Sequence, residues 1–171
     1  MIVGHLARMI KLNPLCGIIA LTLCLAGCSA SGARFQDTPF ATQPIADDKS
    51  RIIFYRESDA DFRSVTLGID DSIMGTLAHK GFIVVETSPG DHRISAWVRG
   101  MSIGKFVMSM TVVGGETYYI RASYRAERML YPLMGPIGVA LVFADIKGEF
   151  QLEPVTAAVA LQALKELKLS E

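Results

Sequence analysis

The chain has 171 residues, half of them apolar, with 17 basic and 17 acidic side chains. This length predicts a single domain. The balanced charge argues against a nucleic-acid partner, because proteins that bind nucleic acids cluster Lys and Arg to neutralise a row of phosphates.

The first 27 residues have the pattern of a secretory signal peptide. Arg8 and Lys11 make the start of the chain basic, no acidic residue occurs, and an apolar run extends from Leu15 to Gly27. A helix needs about 20 apolar residues to cross a bilayer, and this run is shorter. We therefore predict that residues 1–27 are a signal peptide and are removed.

Cys28 follows small residues at the predicted cleavage position. The stretch Leu25-Ala26-Gly27-Cys28 resembles the lipobox of bacterial lipoproteins, whose cysteine is acylated and becomes the first residue of the mature chain. The resemblance implies cleavage between Gly27 and Cys28 and lipid attachment at Cys28. The alternative is an ordinary signal peptide that a cysteine follows by chance.

Removal of the signal peptide has two consequences for the mature chain. Cys16 and Cys24 are lost, so the remaining cysteine is the one whose sulfur would carry lipid. This excludes disulfides, thiolate metal sites and cysteine nucleophiles. The loss of two basic residues leaves 15 basic against 17 acidic side chains, so binding to anionic lipid through overall charge is not expected.

The predicted lipid anchor also indicates on which membrane the protein is located. An acyl chain contributes about 0.8 kcal/mol per buried methylene, and lipoproteins of this type carry more than one chain, so the protein should stay on its membrane. The residue after the cysteine is Ser29. An aspartate at this position would resemble a signal that retains lipoproteins in the inner membrane. We therefore expect the periplasmic face of the outer membrane, with the periplasmic face of the inner membrane as the alternative.

Residues 28–49 are rich in small and polar side chains, include Pro39 and Pro44, and show no sustained period. This composition predicts a flexible tether between the anchor and the domain. Phe35 and Phe40 are its only large apolar groups.

Residues 50–153 contain short β-rich runs that recur about every ten residues, with turn residues between them. This spacing predicts a mainly β fold, an antiparallel β-sandwich of about seven to eight short strands, rather than βαβ units. The predicted strands carry the sequences RIIFYR, SVTLGID, SIMGTL, GFIVVET, HRISAWV, KFVMSMTVV and YYIRASYR, and residues 137–143 (IGVALVF) and 149–153 (EFQLE) are predicted to add one or two more.

Residues 154–171 are predicted to form one C-terminal amphipathic helix. Pro154 is tolerated in the first turn of a helix, and Leu161, Leu164 and Leu167 have the spacing of an apolar stripe. We expect this helix to pack on its own domain.

Four stretches carry a resemblance to a known family. The segments RIIFYR, GIDDSIMGTL, GFIVVETSPGDHRISA and GGETYYIR, in this order, resemble bacterial lipoproteins of the family catalogued as domain of unknown function 2846. The arrangement is also similar to small sandwich modules such as the PEGA domain, which share a Pro-Gly turn before a strand. The resemblance implies a β-sandwich in the bacterial envelope, without an established activity.

Residues 100–104 match the G-x-S-x-G pattern of serine hydrolases, with Ser102 in the nucleophile position. That nucleophile lies on a strand-to-helix turn and needs a histidine later in the chain. Both flanks of Ser102 are predicted strands, and no histidine follows it, since His79 and His92 lie upstream. We therefore predict a glycine-rich hairpin, with a serine hydrolase as an alternative.

A metal site would have to use Asp70, Asp71, His79, Asp91 and His92. Neither histidine has a partner at helical ligand spacing, and aspartate is favoured in turns because its side chain bonds nearby backbone amides. We predict no metal, no other cofactor and no catalysis.

Two arginines share one face of a predicted strand. Arg121 and Arg125, with Arg128 beyond them, could bind phosphate or carboxylate groups on envelope glycans or lipids, and Trp97 could supply a sugar platform. The alternative is a solvated strand face for the arginines and a place in or near the core for Trp97.

Residues 129–144 (MLYPLMGPIGVALVFA) carry no charge. The stretch is too short, and too often interrupted by proline and glycine, to span a membrane. We predict a buried loop and a core strand here, with an exposed apolar docking surface as the alternative.

These patterns together predict a lipid-anchored envelope lipoprotein that acts as a non-catalytic binding or scaffolding module. Its expected partners are the membrane, through the acyl chains, and an envelope protein or glycan. The second hypothesis is a binding domain for glycan or anionic lipid that uses Arg121, Arg125 and Trp97.

Overall fold

A computed structural model of the chain describes residues 29–170. These residues form nine strands and two α-helices, with three further segments of 3-10 helix. The strands are β1 Ser50–Arg56, β2 Val65–Ile69, β3 Ser72–Leu77, β4 Gly81–Thr87, β5 Gly90–Trp97, β6 Phe106–Val112, β7 Thr117–Tyr124, β8 Phe150–Val155 and β9 Lys168–Leu169. The helices are α1 Gly135–Ala144 and α2 Ala157–Leu164, and the 3-10 segments are Phe35–Asp37, Pro39–Ala41 and Ala126–Met134.

The strands form two sheets packed face to face, which confirms the predicted mainly β fold. The first sheet has the strand order β8-β7-β1-β4-β9, and the second has the order β3-β2-β5-β6. Most neighbouring strands are antiparallel, but β1 pairs with β7 and β4 pairs with β9 in parallel. The spacing of strands along a sequence does not show which distant strands become neighbours, so these parallel pairs were not predicted.

The main core lies between the two sheets. Alternate residues of a strand point to opposite faces, and the inward set includes Phe54 of β1, Leu67 of β2, Ile94 of β5 and Ile120 of β7, none of them exposed. The outward residues of β1 are also buried, because α2 covers that face of the first sheet. Ile53 and Tyr55 pack there with Leu164.

The strand register divides the sandwich into two ends. Gly81 at the start of β4 pairs with Arg56 at the end of β1, and residues 78–80 join β3 directly to β4. The β1–β2, β3–β4, β5–β6 and β7–β8 connections therefore meet at one end. Ser29 bridges His79 at this same end, which we call the proximal end; the β2–β3, β4–β5 and β6–β7 turns form the distal end.

Residues 29–49 are packed against the first sheet rather than extended from it, which corrects the predicted flexible tether. Phe35 is buried, and its ring meets the ring of Phe82 edge to face, with 5.5 Å between centroids. The backbone of Leu169 in β9 exchanges hydrogen bonds with Gly32 and Ala33, of 3.1 and 2.8 Å. The small and polar composition of the segment conceals this docking because its large apolar contacts come from only two residues, Phe35 and Phe40.

Arg51 in β1 fixes the later part of the same segment. Its guanidinium donates to the Gln43 carbonyl at 2.9 Å and to the Phe40 carbonyl at 3.3 Å, and a salt bridge of 2.7 Å joins it to Glu86. Arg51 is buried, so these bonds replace the water that its charge would otherwise need.

Residues 137–143 do not form the predicted strand. They belong to α1, which begins at Gly135 and ends at Ala144. Pro136 lies in its first turn, where the fixed φ of proline favours a helix.

The C-terminal helix is shorter than the predicted 154–171. Pro154 belongs to β8, an edge strand, which tolerates a residue without an N–H. α2 then runs over Ala157–Leu164, and β9 follows at Lys168–Leu169. α2 packs on its own domain, and no helix among residues 29–170 has the length and apolarity needed to cross a bilayer.

Candidate functional site

The predicted anchor position can be located only through its neighbour. Gly27 and Cys28 lie outside the described residues. Ser29 is the first residue described, and it bridges His79 at the proximal end, where the Ala30 N–H donates to the His79 carbonyl at 3.0 Å. The predicted anchor position therefore directly precedes a residue that is fixed at the proximal end.

The proximal end also carries the charge-free stretch. Most of the large apolar side chains of residues 129–144 are exposed there, and this corrects the predicted buried loop and core strand. The side chain of Leu133 is 82% exposed, that of Ile137 66% and that of Phe143 68%. We call residues 129–144 the apolar segment.

A buried ionic network holds the apolar segment at its base. Arg125 donates to both oxygens of Asp145 at 2.9 Å and to the Gly148 carbonyl at 2.8 Å. Arg128 donates to Asp145 at 2.9 Å and lies 3.8 Å from Glu149. The network joins Arg125, just before the Ala126–Met134 segment, and Arg128, near its start, to Asp145 and Glu149 after α1. Both ends of the apolar segment are therefore fixed to the sandwich.

Asp145 is the centre of this network. Burial opposes its charged form, but hydrogen bonds from Arg125 and from the Lys147 backbone N–H, with the charge of Arg128, outweigh burial and lower the pKa of Asp145. The carboxylate is therefore charged throughout the neutral range.

A second buried arginine orders the β1–β2 connection. Arg56 has no exposed surface, lies 4.6 Å from the centroid of the Phe150 ring, and donates to Asp59 at 2.6 Å and to the Asp61 carbonyl. The loop it folds presents Phe62 at the proximal end, where the Phe62 ring lies 4.8 Å from the ring of His79. Both nitrogens of this buried histidine lack a hydrogen-bond partner among residues 29–170.

Ser102 has a structural set of contacts in the β5–β6 turn. Its hydroxyl accepts the Val98 N–H at 2.8 Å and donates to Glu149, and its own N–H donates to the Val98 carbonyl at 2.9 Å. Gly104 is needed for packing, because a Cβ there would overlap the Ile146 carbonyl. His92 lies at the distal end, so the structure does not bring it to Ser102.

The structure separates the residues of the predicted arginine and tryptophan site. Arg121 lies on the outer face of the first sheet, where it donates to Glu153 at 2.7 Å. Trp97 lies on the outer face of the second sheet, with the Lys105 ammonium 4.0 Å from its ring centroid. Arg125 belongs to the buried network below the apolar segment. The three side chains therefore do not form one surface.

Arg121 instead lines a groove of about 660 Å³ between the first sheet and α2. The hydrogen bond to Glu153 raises the pKa of Arg121, so this side chain keeps its charge. Its Nε atom and the Tyr55 hydroxyl are buried without a hydrogen-bond partner among the described residues. Charges of both signs line the groove, which includes Glu57, Lys80, Arg121, Gln162 and Glu166.

The aspartates and His92 stabilise distal turns. Asp70 and Asp71 both have positive φ, 48° and 67°, as a tight hairpin turn between β2 and β3 requires. The His92 ring lies 2.5 Å from Asp70 and 2.8 Å from the Ser88 carbonyl, and these two acceptors raise the pKa of His92, the Ser88 bond most. Within residues 29–170, no three His, Cys, Asp or Glu side chains are grouped to hold a metal.

Sequence reasoning did not identify Arg51, Arg56 and Asp145 as residues that organise the proximal end and the N-terminal segment. Their partners lie on other elements, so no local pattern marks them. The one available signal was the position of Arg51 and Arg56 at the two ends of a strand that is otherwise apolar, since a charged residue in a buried strand needs a partner.

Comparison with protein families identifies a match over half of the chain. The family described as "Protein of unknown function (DUF2846)" matches residues 46–131, about half of the chain and the larger part of the sandwich. No curated protein matches the sequence.

Proposed function

The chain belongs to the DUF2846 family, and from that premise we propose that it is a lipid-anchored lipoprotein of the bacterial outer membrane. In this proposal Cys28 is acylated, and the sandwich acts as a non-catalytic module that binds a protein partner in the envelope. The periplasmic face of the inner membrane is the alternative location.

The observation that carries the proposal is the contact between Ser29 and His79. A lipobox cysteine is one residue from this contact, and the segment that follows is docked on the first sheet through Phe35 and Arg51. Acyl chains at Cys28 would therefore hold the proximal end next to the bilayer and leave the sides and the distal end accessible to a partner.

The outer face of the second sheet is the surface we assign to the protein partner. Its outward side chains on β6, Val107, Ser109 and Thr111, are exposed, and Arg93 on β5 is neutralised by Asp71 at 2.5 Å. A face with few unpaired charges and one large aromatic side chain, Trp97, has the composition of a protein interface.

The contacts of Ser102 support a non-catalytic role. Its hydroxyl donates a hydrogen bond to Glu149 and accepts one from the Val98 N–H. Both bonds stabilise the turn. A serine-directed covalent probe should therefore not label the protein. Labelling that disappears in Ser102→Ala would instead support the hydrolase alternative.

Anchoring is tested with Cys28→Ala. The native chain should incorporate labelled fatty acid and sediment with membranes, and the variant should do neither, because it lacks the sulfur that accepts lipid. Ser29→Ala is the matched control and should behave as the native chain does. Labelled, membrane-bound Cys28→Ala protein would contradict the proposal.

The partner surface is tested in cells with a photo-crosslinking amino acid. Placed at Ser109 on β6, it should give one reproducible adduct with another envelope protein. Placed at Val159 on α2, which is exposed on the opposite side of the domain, it should not. Adducts that are equal at both positions, or absent at both, would remove support for this surface.

A second candidate function is favoured by the groove at Arg121. The side chain of Arg121 lines the groove and is about one-third exposed, so its guanidinium could donate to a ligand oxygen, while Glu57 and Glu166 balance the basic side chains and disfavour an anion. The matching ligand is a neutral glycan. Arg121→Ala should weaken co-sedimentation with purified envelope glycan and Arg93→Ala should not; equal binding by both variants would exclude this candidate.

A further inference from the structure

We propose that the apolar segment binds the bilayer that carries the Cys28 anchor, with α1 lying at the boundary between headgroups and acyl chains. The inference rests on the proposed function, since acylation at Cys28 is what defines this bilayer. It adds a second, non-covalent membrane contact, built from residues 129–144.

α1 is apolar on all sides. Its sequence, GPIGVALVFA, contains no polar side chain, and Ile137, Val139 and Phe143 are exposed on it. A helix that is apolar all round is normally buried, and none of the described residues covers these three side chains. The ten residues span about 15 Å, half of the hydrocarbon thickness of about 30 Å, so α1 can lie in the boundary but cannot cross.

Other connections at the proximal end extend the same surface. Phe62 in the β1–β2 loop and Met101 and Ile103 in the β5–β6 turn are each more than half exposed. Gly104 packs against the backbone of Ile146, which brings the β5–β6 turn beside the end of α1. Exposed apolar side chains from three separate connections therefore meet at one end of the sandwich.

The position of Ser29 identifies the occupant of this surface. Ser29 is fixed at the proximal end by its bridge to His79, so acyl chains on Cys28 would enter a bilayer at this end. The bilayer is the one apolar phase that the anchor brings there. The anchor would make contact between the apolar segment and this bilayer an intramolecular event. The effective concentration of lipid at the segment is then high, so the contact needs little affinity of its own.

Charges below α1 predict how the contact should respond to salt. Arg125 and Arg128 are both paired with Asp145, and Arg128 also faces Glu149. Since these charges neutralise one another, the contact depends on apolar burial rather than on anionic headgroups. It should persist at high ionic strength.

The test uses the acylated mature protein, purified from membranes and placed in vesicles of phosphatidylethanolamine and phosphatidylglycerol. Phe143→Cys introduces a reporter position that takes an environment-sensitive fluorophore, because acylation blocks the sulfur of Cys28. Leu133→Cys, the most exposed side chain of the segment, is a second reporter. Val113→Cys, an exposed apolar position at the distal end, is the matched control.

Lipids with a quencher in the acyl chain should reduce the fluorescence at positions 143 and 133 by about twofold or more. They should leave position 113 unchanged, and high salt should not alter this pattern. Equal, weak quenching at all three positions in a protein that still carries its acyl chains overturns the inference while the anchoring proposal stands.

Two further outcomes also overturn the inference. Thiol crosslinking between copies at position 143, without quenching by lipid, would assign the surface to a second copy of the chain. A purified protein without acyl chains would refute the proposed function as well, and fatty-acid labelling detects that failure independently of fluorescence.

Discussion

Phe35 packs edge to face against Phe82, with 5.5 Å between the ring centroids. Through this contact the N-terminal segment belongs to the folded domain, so in the proposed anchored protein the distance between the domain and the membrane would be set by residues at the proximal end. A free tether of the same length would allow the domain to move away from the bilayer.

Phe35→Ala should lower the free energy of unfolding by about 3 kcal/mol, because it removes a buried aromatic ring and leaves a cavity over Phe82. Urea unfolding of the mature chain in detergent measures the change. Phe62→Ala is the control, since Phe62 is largely exposed and its loss should cost well under half as much. Equal effects of the two substitutions would mean that residues 29–49 do not stabilise the domain.

The docking of this segment illustrates what the sequence could not predict. The strands and their turns are local features, and Asp70 and Asp71 were predicted to lie in a turn because the aspartate side chain bonds nearby backbone amides. The tether, in contrast, was predicted from composition, while its actual structure depends on Phe82 and Arg51, which lie elsewhere in the chain. The local composition of a segment does not show which distant residues it contacts.

The structure of the apolar segment was also difficult to predict from local composition. Val139, Leu141 and Phe143 fit a core strand by composition, but Pro136 lies in the first turn of the helix that forms here, where its fixed φ favours a helix. Exposure of this segment was predicted only as the alternative, because a charge-free stretch normally indicates a core. Among the candidate site residues, the sequence did not show that Trp97 and Arg121 lie on opposite faces of the sandwich.

Asp145→Asn should lower the free energy of unfolding by about 3 kcal/mol near pH 7, because two buried arginines lose their shared counter-charge. The pKa of Asp145 is lowered in the folded chain. Its contribution is therefore present above the unfolded pKa of about 4 and is lost as pH falls through the lower folded value.

Urea unfolding of the native chain and of Asp145→Asn at several pH values measures this dependence. The difference between the two should be full at neutral pH and should shrink below about pH 4. Asp71→Asn, which affects only an exposed ion pair, should cost much less at every pH. A difference for Asp145→Asn that does not change with pH would contradict the pairing.

Asp70→Asn should lower the pKa of His92. The carboxylate of Asp70 lies 2.5 Å from His92 Nδ1 and, after the Ser88 carbonyl, is the strongest cause of the raised value. Because the folded pKa is raised, the stabilisation from charged His92 is present below about pH 6.5 and is lost as pH rises through the folded value.

Titration of the His92 ring protons by NMR tests this prediction. Asp71→Asn is the control, because Asp71 pairs with Arg93 instead of His92. A His92 pKa that is equal in both variants would show that the Asp70 contact does not act on the ring.

Gly104→Ala should destabilise the proximal end by about 3 kcal/mol, since a methyl group there overlaps the Ile146 carbonyl and forces the β5–β6 turn away from α1. Gly100→Ala is the matched control. Gly100 has a positive φ of 75°, but no atom lies within 4 Å of its missing Cβ, so its substitution should cost only the backbone strain of about 1 kcal/mol. Thermal unfolding compares them, and an equal loss would mean that the turn and α1 are not in contact.

The mass of the N-terminal tryptic peptide from the membrane fraction tests acylation at Cys28 most directly. Trypsin cleaves after Arg34, so the predicted peptide begins at Cys28, ends at Arg34 and carries the added mass of its acyl chains. An unmodified peptide, or one that begins before Cys28, would contradict the account.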